Sequence, residues 1–233
     1  SLPIIGFNNR FPRMLLSEIC SEPGEIKKGK KYEFIELYVL EDGNTDGMVI
    51  HCGTAGENIV YLLPSAEVKK GEYIVVHMRN PGTEGIVSEL GEDLSLSEGS
   101  DSVAGARDLW VGGLDSTVST SDVIVLKDRL NGPVMDCILY KEPTKTSWGK
   151  NYCNILAQEC FEQGMWPTGY DISNAADCYK MSPTRTFCRQ NISEIEEAFL
   201  GGEKGPWPGN SEDWFVVATS CYSPGKPNSN KAY

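Results

Sequence analysis

The part of the chain whose residue types and spacing come nearest to a metal site is Asp42-Gly43-Asn44-Thr45-Asp46-Gly47. In a D-x-[DN]-x-[DN]-G loop the alternate side chains, here Asp42, Asn44 and Asp46, bring oxygens together on a hard cation such as calcium. The twelfth position counted from Asp42 is Gly53, where an EF-hand carries its bidentate Glu. The competing reading is a polar turn between two strands, and calcium is the one cofactor candidate. Two histidines, His51 and His77, each lie in an apolar run with strand character, which favours hydrogen-bonded structural imidazoles over a catalytic base. No serine sits in a G-x-S-x-G elbow, and neither a Lys-Ser/Thr phosphate loop nor a G-x-G-x-x-G turn is present. Carboxylate-based hydrolysis needs only two well-placed acids among the 33 Asp and Glu, so no pair is singled out and no catalytic residue is assigned.

Charge narrows the partners. The 233 residues carry 21 Lys and Arg against 33 Asp and Glu, a net charge of -12. Phosphate contacts need cations, so nucleic acid and anionic membrane surfaces are poor partners. A nucleic-acid reading would require Lys27, Lys28, Lys30 and Lys31 to form one concentrated patch. The longest purely apolar stretch, Ile59 to Leu63, falls far short of the roughly 20 residues a membrane helix needs. The start, Ser1-Leu2-Pro3-Ile4-Ile5-Gly6, has no signal-peptide pattern, so a leader is expected to be absent or already removed. The eight cysteines are even in number, lack C-x-x-C spacing, and place four of their members between 153 and 188, where the apolar pattern is weak. Cross-linking is the natural way to order such a stretch, so at least two disulfides and an oxidising compartment are expected.

The elements that must position these residues are mostly strands. Alternation predicts Met14–Cys20, Glu33–Leu40, Met48–Cys52, Ile59–Leu63, Glu72–Met78, Asp108–Val111, Asp122–Lys127, Val134–Tyr140 and Trp214–Ala218. Asn131-Gly132 marks a hairpin between two of them. From about 141 to 210 alternation gives way to Trp, Cys, Gly and Pro. Helices are predicted there near 152–162 and after a Ser193-Glu194-Ile195-Glu196 capping box. The aromatics Trp148, Tyr152, Trp166, Tyr170 and Trp207 read as a satellite core or an exposed binding platform. Ser223-Pro224-Gly225-Lys226-Pro227-Asn228 reads as the start of a frayed polar tail.

Several segments, taken in order, resemble the lamin tail domain family, in the manner of its bacterial extracytoplasmic members. They are Leu15-Leu16-Ser17-Glu18-Ile19, Glu33-Phe34-Ile35-Glu36-Leu37-Tyr38, Lys70-Gly71-Glu72-Tyr73-Ile74-Val75-Val76, Leu109-Trp110-Val111-Gly112, Ser121–Leu126, Val134–Tyr140, and the closing Trp214 and Ser223–Asn228. The resemblance implies an all-β, immunoglobulin-like β-sandwich of one domain over residues 1–233, with a cysteine-rich, partly helical insertion at about 141–210. Ile35 and Leu37 would face its core while Glu36 and Tyr38 point the other way. It also implies a non-enzymatic binding or structural module outside the cytoplasm, with a protein or polysaccharide partner and, for a surface or periplasmic lipoprotein, a lipid anchor on the precursor. The alternative is a carboxylate-based hydrolase or the accessory domain of a secreted one.

Overall fold

The computed structural model describes residues 8–26, 29–112 and 118–233; Ser1–Gly6, Lys27 and Lys28 lie outside them. The first half of the chain forms β1 (Met14–Cys20), β2 (Gly24–Ile26), β3 (Gly29–Lys31), β4 (Phe34–Val39), β5 (Gly43–Asn44), β6 (Val49–Cys52), β7 (Val60–Leu62), β8 (Glu67–Val68) and β9 (Tyr73–His77). Then come β10 (Arg107–Trp110), β11 (Asp122–Lys127), β12 (Val134–Lys141), helix α1 (Asn151–Glu162), β13 (Ala176–Asp177), β14 (Phe187–Arg189), helix α2 (Ile192–Leu200) and β15 (Trp214–Val216). The protein is thus mostly β, and each strand read from alternation is present to within two residues.

The strands assemble into two principal sheets, ordered β10-β9-β4-β1-β14-β15 and β13-β12-β11-β6-β7, with the ribbons β2-β3 and β5-β8 beside them. Pairing is antiparallel except for β9 with β10 and β12 with β13. Asn131 adopts φ 61 in the β11–β12 connection, a backbone state that Asn tolerates better than most residues. Both sheets contribute to one apolar core, with Leu16, Ile35, Leu37 and Ile74 from the first and Ile50, Val123, Val125 and Ile138 from the second. A buried ion pair also ties them. Arg189 Nη1 on β14 donates to Asp136 Oδ2 on β12 at 2.7 Å, and the amide of Leu16 on β1 donates to the same oxygen at 2.6 Å.

Residues 141–210 are built into this frame, giving β13 to one sheet and β14 to the other. The expected disulfides are not formed: all eight cysteines are free thiols, seven of them buried. Their spacing has a different cause. Cys153, Leu156, Ala157 and Cys160 are the buried stripe of α1, at intervals of three and four residues, and this stripe packs on β11 and β12. The helix comes so close to the 53–55 turn that a Cβ on Gly53 would lie 2.7 Å from the Cys153 Cα. Other thiols bond to carbonyls, Cys178 to Thr120 at 3.0 Å and Cys137 to Met165 at 3.7 Å. Trp166 is fully buried, Trp148 and Tyr152 pack on the shared core, and Trp207 packs on the cluster around Ile195, so these aromatics do not make one platform. Helix α2 begins earlier than expected. Asn191 stands at its N-cap without a side-chain capping bond, and a capping box occurs instead at Asn210 and Asp213.

Glu36 and Tyr38 do point away from the shared core, but into a second buried layer. Glu18 and Glu36 are register partners on β1 and β4, and both are fully buried. The segment expected to fray lies over them. Ser223 donates to Glu18 through its amide (3.1 Å to Oε2) and its hydroxyl (3.0 Å), and the Gly225 amide donates to Glu36 Oε2 at 2.5 Å. Ser17 Oγ donates to Glu36 Oε1 at 2.8 Å, and Asn228 Nδ2 donates to the carbonyls of Ser17 and Arg189. Burial pushes both carboxyls above their usual range, with the charge of Glu18 adding to the effect on Glu36.

Two outcomes are expected. Glu36→Ala strands the Gly225 and Ser17 donors in a buried layer and should cost about 2–4 kcal/mol in urea unfolding. It should also speed hydrogen exchange at the Gly225 amide, whereas an unchanged midpoint would mean that the clamp carries no stability. Burial raises the thiols of Cys20 to about 11 and of Cys153 and Cys178 to about 12, so they are poor nucleophiles at neutral pH. Maleimide labelling of native protein should therefore modify Cys221, which is half-buried, well before the other seven, as read by mass spectrometry.

Candidate functional site

The outer face of the six-stranded sheet places the site. Strand alternation puts Phe34, Glu36 and Tyr38 of β4 and Tyr73, Val75 and His77 of β9 on this face. At one end Leu15, Tyr38 and Leu40 are covered by Ile195 of α2. The middle is sealed by the clamp of residues 223–228 on Glu18 and Glu36. At the other end Phe34 and His77 are register partners, each 1% exposed, and they form the buried floor beneath a recess in the covering layer. A cavity of about 680 Å³ remains there, walled by Phe34, Val75 and His77 from the sheet, Ile26 and Lys31 from the β2-β3 ribbon, the 100–104 loop, and Tyr222, Pro224 and Lys226 from the C-terminal segment.

His77 is the most constrained side chain of the wall. Its ring stacks on Trp110 with centroids 3.9 Å apart. Nε2 lies 2.7 Å from Asp108 Oδ1, and Nδ1 forms an ion pair of 3.4 Å with Asp101 Oδ2. The aspartates are themselves held, Asp108 Oδ2 by the Val103 amide at 2.9 Å and Asp101 Oδ2 by the Tyr32 amide at 3.1 Å. Burial alone would pull the imidazole's pKa down, but the two facing carboxylates outweigh it and hold His77 above its usual value. The same contact works in reverse on Asp101: burial would raise it, and His77 brings it below the usual range. With a carboxylate beside each ring nitrogen, the protonated form of this imidazole is favoured.

Lys31 is the second unusual group, only 2% exposed. Its Nζ donates to the Pro183 carbonyl at 2.9 Å and sits over the rings of Phe34 and Tyr222, at 4.8 and 4.2 Å. The basic patch that a nucleic-acid surface would need is therefore interrupted, since Lys31 faces inward. Nothing in the sequence alone flags Lys31 as buried. Its neighbours Gly29, Lys30 and Tyr32 have the composition of a surface turn.

The residues singled out for calcium lie elsewhere, beside the β5-β8 ribbon. Asp42 accepts from Lys69 Nζ at 3.0 Å and from the Lys70 amide at 2.8 Å, and these contacts, the amide first, lower its pKa. Asn44 Nδ2 donates to Glu67 at 3.0 Å, while its Oδ1 accepts from the Asp46 amide at 2.9 Å. The turn satisfies itself, and Asp42 and Asn44 face different partners. Among the described residues, no cluster of three or more His, Cys, Asp and Glu is gathered for a metal. His51 is remote from the cavity and bonds locally, with Nε2 3.2 Å from the Gly56 carbonyl and Nδ1 3.3 Å from Tyr152 Oη.

The fold and site define a β-rich protein with a ligand-sized cavity on the outer face of one sheet, and comparison with known proteins places it further. Residues 12–216 match the family described as the TP_1001 protein second domain, and the chain belongs to that family. It is also similar to an uncharacterized protein of Treponema pallidum (strain Nichols), 32% identical over 174 residues, covering 71% of this chain and 42% of that protein. The chain thus spans less than half the length of this relative.

With two histidines in the chain, the electrostatics can be read directly. In an NMR titration His77 should show a midpoint above 6.5, whereas His51, pulled down by burial, should show one below 6.5. Because the folded value of His77 is raised, its contribution to stability is complete below pH 6.5 and is lost as pH climbs through that folded value. Reversed midpoints would contradict the Asp101–His77–Asp108 arrangement.

Proposed function

We propose that the chain is a non-enzymatic binding module on an immunoglobulin-like β-sandwich of lamin-tail type, acting outside the cytoplasm, and that it holds its ligand in the cavity beside His77. The observation that carries this reading is the cavity itself. At about 680 Å³ it lies within the roughly 300–1,000 Å³ range of small-molecule sites, with an apolar wall and a few fixed polar groups. The serines beside it, Ser100 and Ser102, have no base to activate them, because both nitrogens of His77 already face carboxylates. The lamin-tail assignment draws support from the clamp. Three of the segments that carry the resemblance meet there, through Glu18, Glu36 and Ser223–Asn228. The sandwich draws support from the core shared by the two principal sheets. Placement outside the cytoplasm rests on the resemblance alone, since the free thiols add nothing to it. The partner is a small molecule, or a group of that size on a protein or polysaccharide.

A second reading, the carboxylate-based hydrolase, draws on Glu18 and Glu36, two opposed acids with raised pKa values. Their oxygens are occupied by Ser17, Ser223 and Gly225 and are closed off from the cavity, which favours a structural role.

Thermal-shift screening of a library of neutral, anionic and cationic fragments separates the readings. Binders should raise the Tm of the native chain but not of Ala104→Trp, which narrows the cavity at an exposed loop position. No stabilisation by any compound, or equal stabilisation of the variant, would overturn the cavity as the site. Polysaccharide cleavage abolished by Glu36→Gln, in a variant that still folds, would establish the hydrolase.

A further inference from the structure

We infer that the ligand of this cavity is an amphipathic organic anion, its acidic group directed at Lys31 and Lys226 and its apolar body lying against Val103, Tyr222 and Pro224 above the buried Phe34 and Val75. The inference deepens the binding-module reading and rests on it. It starts from Lys31. Burying an ammonium is costly unless an acceptor or counter-charge compensates it. Among the described residues Lys31 forms no ion pair, and its one hydrogen bond is to the Pro183 carbonyl. An ammonium has three donors, so two are left for other acceptors. The side chain lines the cavity, and the cavity is where those acceptors can come from.

The other charges of the wall agree with this. Lys226 is exposed at the rim and also forms no ion pair among the described residues. Among the described residues Asp101 is the one carboxylate of the lining, and it shares the single charge of His77 with Asp108, so this group leaves one negative charge against the two ammonium groups of Lys31 and Lys226. The nearest acids beneath, Glu18 and Glu36, feel the charge of Lys31 but make no ion-pair contact with it, and their oxygens are taken by Ser17, Ser223 and Gly225. The wall is therefore locally cationic in a chain whose net charge is -12. Such a site concentrates small anions that the rest of the surface repels. One further group gives the ligand a polar contact: Asp101 Oδ1 is buried with no hydrogen-bond partner, ready to accept from a hydroxyl or amide of the ligand. The partly exposed aromatic and aliphatic remainder of the wall, Val103, Tyr222 and Pro224, suits an apolar body and not a sugar phosphate or a bare inorganic anion.

Isothermal titration with three ten-carbon probes tests the assignment: decanoate, neutral decanamide and cationic decyltrimethylammonium, each below its critical micelle concentration. Decanoate should bind at least about tenfold more tightly than either counterpart, the range expected of one charge-assisted hydrogen bond. Lys226→Gln should weaken decanoate several-fold and Lys31→Met about tenfold or more, with decanamide little changed. The Lys31 Hε/Cε NMR signal should shift with decanoate. Because Lys31→Met removes a buried group and can unfold the chain, Lys226→Gln and the NMR shift carry the test without it. If decanamide binds as tightly as decanoate, or if Lys226→Gln and the Lys31 signal are indifferent to decanoate, the anion assignment fails while the cavity-binding reading stands. If none of the probes binds and the fragment screen is also blank, both fail.

Discussion

Two glutamates, Glu18 and Glu36, face each other across adjacent strands, both fully buried, and much of the architecture follows from how they are satisfied. Carboxylates at register positions repel when charged and are costly to bury unpaired. Both penalties are relieved by donors from a segment nearly two hundred residues away in sequence: the Ser223 amide and hydroxyl and the Gly225 amide. The arrangement draws the end of the chain across the outer face of the six-stranded sheet. That in turn positions Tyr222, Pro224 and Lys226 as one wall of the cavity. The clamp and the cavity are neighbouring parts of one covering layer.

The same economy of buried charge recurs on the opposite side of the sheet. Asp136 and Arg189 join the two sheets through their shared core, and the Leu16 amide donates to the same Asp136 oxygen. Removing either partner of such a pair leaves a buried charge without compensation, so the pair constrains how the sheets align more than it adds net stability. In His77, Asp101 and Asp108 one imidazole is set between two carboxylates, so the buried charges are again compensated in part within the protein. Lys31 breaks the pattern, because its ammonium is buried with a carbonyl and two ring faces and has no carboxylate in ion-pair contact, Glu18 and Glu36 acting on it only from farther away. In a protein that pairs its other buried cations, that exception directs attention to the cavity.

The family match over residues 12–216 includes the 141–210 stretch as well as the strands around it. This agrees with the way that stretch is built in, with one strand in each principal sheet and α1 against β11 and β12. The cysteines that set it apart by composition belong to its buried surface. Small, polarizable thiols fill tight contacts such as that of Cys153 against Gly53, and desolvation leaves them unreactive.

The local content of this protein was legible in its sequence. Alternation located the strands, and Asn131-Gly132 located the hairpin. These signals depend on residues within a few positions of one another, where a period of two or 3.6 is imposed by backbone geometry. The spacing of Cys153 and Cys160 was open to two readings because a helical stripe and a cross-linked loop can share it, and only the packing of α1 on β11 chose between them. The second buried layer could not be read at all. That Glu36 meets Gly225, that His77 stands between Asp101 and Asp108, and that Lys31 turns inward depend on contacts between segments far apart in the chain. Tertiary structure alone decided them, because burial and charge pairing are properties of where strands meet, and sequence spacing does not record that.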